Sequence, residues 1–100
     1  TLQVGDLELL VRDRRVRRES SWIDLRPQEL ALMELLMRNR DRVVPKAVIL
    51  EKIWNFDFDP QTNIVDVLVY RLRKKIDEPF DTSLIHTVRG VGYMVTNGKS

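Results

Sequence analysis

Residues 66–75 read DVLVYRLRKK, and what this stretch becomes decides the fold. It opens apolar and closes basic, yet at the helical turn of about 100° per residue the two characters separate by face rather than by end. Val65, Leu68, Val69, Leu72 and Ile76 fall within one arc, the stripe that a helix turns towards a core. Asn63, Val67, Tyr70 and Lys74 gather at the opposite pole, with Arg71 and Arg73 on its shoulders. The pattern predicts a helix that starts at Thr62 or Asn63, either able to cap it, and runs to about Asp77, ahead of Pro79.

Helical spacing recurs upstream. Leu30, Met33, Leu36 and Met37 predict a helix from Pro27 to near Asn39, with Glu29 placed to meet the free amides of its first turn. Val48, Ile49, Ile53 and Trp54 mark a short second helix that starts at Pro45, followed by a turn-rich loop over Asn55 to Thr62. Residues 1–25 alternate short apolar and polar runs broken at Gly5-Asp6, Asp13-Arg14 and Glu19 to Ser21, which reads as antiparallel strands. LIHTV, RGVG and YMVT (84–96) read as strand, tight turn and strand, with Tyr93 and Val95 closing the core. Strands, three helices and a hairpin give an α+β fold with the outline of a winged helix-turn-helix.

One hundred residues, 43% of them hydrophobic, make one domain over 1–100 with a sizeable core. The absence of cysteine fits a reducing compartment and excludes thiolate chemistry. No apolar run is long enough for a membrane span, and a start at Thr1 suggests a piece cut from a longer protein or a processed product. Net charge is only +2, so its distribution decides the partner. Bases crowd into Arg12 to Arg18 and Arg71 to Lys75, whereas acids gather in Glu51 to Asp59 and Asp77 to Asp81. Arg14, Arg15, Arg17 and Arg18 read as a solvated strand face.

An outward pole of amide, small apolar group, phenol and ammonium, flanked by guanidinium groups, suits a DNA major groove. An ordinary solvated basic face accounts for the same residues. Arg89, at the predicted hairpin tip, is a long cation able to enter a minor groove, and the Thr87 hydroxyl can donate to a phosphate. Asp66 would repel phosphate; its place in the first turn points to the helix dipole or an ion pair with a nearby arginine. His86 is the only histidine and has no companion ligand, so it reads as structural or as a bystander to DNA. Glu51, Asp57 and Asp59 lack the ligand ladder and central glycine of a calcium loop. With no nucleophile, acid–base pair or phosphate-cradling glycine loop, neither an enzyme nor a cofactor or metal is expected.

LRPQELALMELLMRN (25–39), RVVPKAVILEKIW (42–54), TNIVDVLVYRLRKKID (62–77) and IHTVRGVGYMV (85–95) together resemble the C-terminal effector domain of bacterial OmpR/PhoB-type response regulators. The spacing of IWNFDFDPQTNIVDV and IDEPF looks most like the heavy-metal-responsive branch. The resemblance implies an N-terminal four-stranded antiparallel sheet, a three-helix core and a C-terminal β-hairpin wing. It places Asn63, Val67, Leu68 and Arg71 at bases, Trp54, Tyr70, Arg73, Lys74 and Thr87 near the DNA backbone, and Arg89 in the minor groove. It assigns Asn55, Phe56, Asp57, Phe58 and Asp59 to a loop that approaches RNA polymerase. It further implies an N-terminal receiver domain in the full-length protein, tandem dimers on direct-repeat half-sites and a bacterial cytoplasmic location.

The chain departs from the common pattern at Arg26 and Pro45, where capping Thr and Ser are usual, and each loss of a cap costs from a few tenths to about 1 kcal/mol. Leu68 and Tyr70 stand where polar or basic residues are frequent. A rival expectation is a winged-helix module that binds protein through Tyr70, Val67 and the acidic loop.

Overall fold

The structure, a computed structural model, describes residues 1–57, 60 and 62–97. Strands β1 (Leu2–Val4), β2 (Leu7–Leu10), β3 (Arg15–Arg18) and β4 (Ser21–Ile23) form an antiparallel meander in that order. Alternation sends Val4, Leu7, Leu9 and Val16 inward, all buried. The β3–β4 connection has only two residues, Glu19 and Ser20, both at positive φ (51° and 69°), the handedness that matches a tight hairpin to strand twist.

Helix α1 spans Pro27–Arg38, strand β5 Val44–Pro45, and α2 Lys46–Ile49, continued by a wider π turn over Leu50–Trp54. Helix α3 follows at Ile64–Ile76, then β6 (Ile85–Val88) and β7 (Gly92–Val95), which join β5 in a second sheet ordered β5-β7-β6. The architecture is a winged helix-turn-helix: the meander packs on α1 through β1, α1 packs on α3, and the β6–β7 hairpin is the wing. All five residues of the predicted apolar arc of α3 are buried. Burying each contributes about 1.5–3 kcal/mol. They meet Leu30, Leu32, Met33, Leu36 and Met37 of α1 in one continuous core.

Local signals were satisfied differently from expectation at the helix starts. Arg26 has no acceptor to offer as a cap; Glu29 instead reaches back to accept the Arg26 N–H at 2.8 Å. Asn63 is the residue before α3 but makes no side-chain cap bond, and its carbonyl takes the Val67 N–H at 2.8 Å. The second helix does not keep one pitch: it widens at Leu50 and stops at Asn55, which takes a left-handed φ of 60° while its N–H donates to the Glu51 carbonyl.

The solvated basic face expected of β3 is corrected at Arg18, which is completely buried. Its Nε donates to Asp6 at 2.8 Å, one terminal nitrogen to the Ile76 carbonyl and Asp77, and the other to the Thr82 carbonyl and hydroxyl, while Phe80 lies under the guanidinium. Asp77 completes the arrangement by accepting the Leu84 and Ile85 N–H groups. Arg18 thus ties the meander to the C-terminal end of α3 and the start of the wing. Arg15 and Arg17 lie over the exposed Trp22 ring, and Arg17 pairs with Glu8 at 2.6 Å.

Candidate nucleic-acid interface

Helix α3 is held by its two shoulders. On one, Lys75 bonds the buried Glu29 of α1 at 2.7 Å. Burial pushes the Glu29 pKa up, but the Lys75 ammonium and the Arg26 N–H outweigh it, and the net direction is down. On the other shoulder stands the wing. Asp66 accepts a hydrogen bond from the Tyr93 hydroxyl and an ion pair from Lys46 at 3.0 Å. Arg73 donates to the Thr87 hydroxyl at 2.6 Å and to the Ile85 carbonyl at 3.3 Å, and lies over the Tyr93 ring. Asp66 therefore pairs with lysine and tyrosine, not with an arginine as expected. The Tyr93 hydrogen bond lowers the Asp66 pKa against the opposing effect of burial, with Lys46 adding to the shift. Burial first, then Asp66, pushes Tyr93 up to about 12, so a neutral phenol donates to a carboxylate.

Between the shoulders the outward pole is free of the packed body. Val67 is 44% and Tyr70 58% exposed, and Asn63, Arg71 and Lys74 are exposed around them. Lys74 lies over the Tyr70 ring, and Tyr70, with Glu78 behind it, raises the Lys74 pKa, keeping it cationic. A groove of about 420 Å³ opens beside this pole, lined by Gln28, Trp54, Asn63, Val67, Leu68 and Arg71 among others. Leu68 is only 5% exposed, so it forms the groove floor while its neighbours form the rim.

The wing tip is a tight turn in which Val91 N–H donates to the Val88 carbonyl at 3.0 Å and Gly90 takes a φ of 77°. Arg89 and Val91 are exposed there, two residues beyond the Thr87–Tyr93 rung that α3 holds. The root is fixed by close approach: a Cβ on Gly92 would lie 2.1 Å from the Val44 carbonyl oxygen.

The structure thus gathers Trp54, Asn63, Val67, Leu68 and Arg71 around one groove, and binds Arg73 and Thr87 to each other. Asn55 and Asp57 are exposed and Phe56 is half-buried against the core; Phe58 and Asp59 lie outside the described residues. Gln28 on the groove, Val91 on the wing and Lys46 beside Asp66 are not singled out by the sequence, and Tyr93, expected only to close the core, is buried as expected but also bonds Asp66. A polar residue in the first turn of a helix and an apolar residue between two glycines are weak signals, and the Asp66 partners lie 20 and 27 positions away. Among the described residues no group of three or more His, Cys, Asp or Glu could hold a metal. No helix of the described residues is long and apolar enough to cross a membrane.

Residues 18–95 match the family model described as "Transcriptional regulatory protein, C terminal". The chain is 44% identical over 93 residues to the transcriptional regulatory protein CusR of Escherichia coli, covering 93% of this chain and 41% of that protein. It therefore spans less than half the length of that relative. The Klebsiella pneumoniae RstA DNA-binding domain, solved in complex with the RstA box, superposes with a TM-score of 0.88 at 24% identity over 98% of both chains. The response regulator DrrB, a Thermotoga maritima OmpR/PhoB homologue, superposes with a TM-score of 0.80 at 32% identity, covering 94% of this chain and 43% of that one. The match to the family model, the regulator 44% identical over 93 residues and the common winged helix-turn-helix frame agree: this chain belongs to the C-terminal domain family of OmpR/PhoB-type transcriptional response regulators.

Proposed function

We propose that the domain binds double-stranded DNA sequence-specifically as the output module of a two-component transcriptional regulator in the bacterial cytoplasm. Helix α3 enters the major groove with Asn63, Val67 and Arg71 at base edges and Leu68 supporting them from below. Trp54, Tyr70, Lys74, Arg73 and Thr87 face the sugar-phosphate flank, and Arg89 enters the adjacent minor groove. The observation that carries the proposal is the outward pole of α3: exposed amide, apolar, phenol and basic groups in a helix whose other three sides are occupied. Membership of the family supports tandem binding on direct repeats, control by an N-terminal receiver domain and contact of the Asn55–Asp59 loop with RNA polymerase.

Titration of mixed-sequence and selected duplexes against salt tests the proposal. Each phosphate contact should contribute a slope of about −0.9 in log affinity against log salt. Selection from a random duplex pool should return a defined half-site. A domain of the rival, protein-binding kind would show neither, even at low salt.

A further inference from the structure

Asp66 and Arg73 are seven residues apart on α3, about 20° short of two full turns, so they project from the same shoulder. Each holds one end of a single wing rung: Thr87 and Tyr93 are cross-strand partners, Thr87 bonded to Arg73 and Tyr93 to Asp66. Lys46 joins Asp66 from the first residue of α2, and its own N–H donates to the Val91 carbonyl at the wing tip. Recognition helix, wing and second helix therefore converge on one carboxylate.

We infer that Asp66 is a positioning residue that, with Arg73, fixes the wing against α3 and so sets how far the minor-groove flank must lie from the major-groove half-site. The inference rests on the proposed binding mode. Asp66 itself touches no base or phosphate; it acts through Tyr93 and Lys46. Its carboxylate is needed as a double acceptor, because asparagine keeps the shape but can accept on only one oxygen and must present an N–H to a donor.

The test uses duplexes in which an A·T-rich flank is moved by one base pair towards or away from a fixed half-site. Wild-type domain should prefer one spacing by about tenfold, the scale of one well-made contact. In Asp66→Asn and in Tyr93→Phe that preference should fall to below about twofold, and Arg89→Ala, costly in the wild type, should become nearly silent. The double variant should be no worse than either single one, as expected of partners in one interaction. Asp66→Glu, which keeps both acceptors, should restore part of the preference. Because the chain has no cysteine, Tyr70→Cys with Val91→Cys permits paired spin labels without DNA; their distance distribution should be narrow in the wild type and broad in Asp66→Asn. Uniform weakening with the spacing preference intact, or an unbroadened label distance, would overturn the inference. An Arg89→Ala substitution silent in the wild type would defeat the binding mode instead, and the label distances would still decide whether Asp66 fixes the wing against α3.

Discussion

Replacing Arg18 by alanine is expected to lower stability by about 3–5 kcal/mol, the cost of breaking a buried ion pair from one side. Five donor contacts vanish with the guanidinium, two to carboxylates and three to Ile76 and Thr82 oxygens. Their simple sum would overshoot, since Asp6 is 37% exposed and can turn to water while Asp77 keeps the Leu84 and Ile85 N–H groups. Against a total of about 5–15 kcal/mol for a domain of this size, the loss corresponds to a fall of about 12 to 40 °C in melting temperature. Urea and thermal unfolding, followed by circular dichroism, would measure it. Arg18→Lys should recover little, because a single ammonium cannot span Asp6, Asp77 and Thr82 at once. Arg17→Ala, one residue away on the exposed Glu8 pair, should cost no more than about 1 kcal/mol. Equal effects at Arg17 and Arg18, or full recovery by lysine, would refute the tie between meander and helix.

Arg71→Ala should weaken specific DNA binding by about 1–3 kcal/mol and relax one position of the selected site; an unchanged selected sequence would remove Arg71 from base reading. The folded-state pKa of Glu29 lies below its ordinary 4.5, so its stabilisation is present above that value and lost as pH falls through the depressed one. Glu29→Gln should therefore be less stable near neutrality and approach the wild type in acid, as unfolding at a series of pH values from 7 to 3 would report. Substituting Phe56 or Asp57 should spare DNA affinity and reduce transcription in a reconstituted assay, whereas loss of DNA binding would contradict a polymerase role for that loop.

Helix α3 was legible from sequence because its meaning is periodic: the five core positions follow from spacing alone, and the structure buries all five. Leu68 shows the same logic at work, since the arc turns it inward and it is buried at the groove floor. Arg18 was illegible because its partners lie at 6, 77 and 82, and no local pattern distinguishes Arg-Val-Arg-Arg facing water from the same run with one member enclosed. The pairing of Arg73 with Thr87 was hidden for a like reason. Both looked like free polar groups when taken singly, and only the fold brings helix and wing together. The π turn at the end of α2 has no sequence period of its own, so its short apolar stripe is indistinguishable from that of a plain helix.

The second sheet also governs the order in which the domain can be completed. Among the described residues strands β5 and β6 each pair only with β7, the central strand and the last of the three in chain order, and the Val44–Tyr93 rung spans nearly half the chain. Until Gly92–Val95 is in place, β5 has no neighbour, β6 has no hairpin, and Asp66 has no phenol to hold. Such long-range closure is slow relative to helix formation. A nascent chain can therefore assemble its three helices early, yet it gains the wing and the Asp66–Tyr93 contact only late.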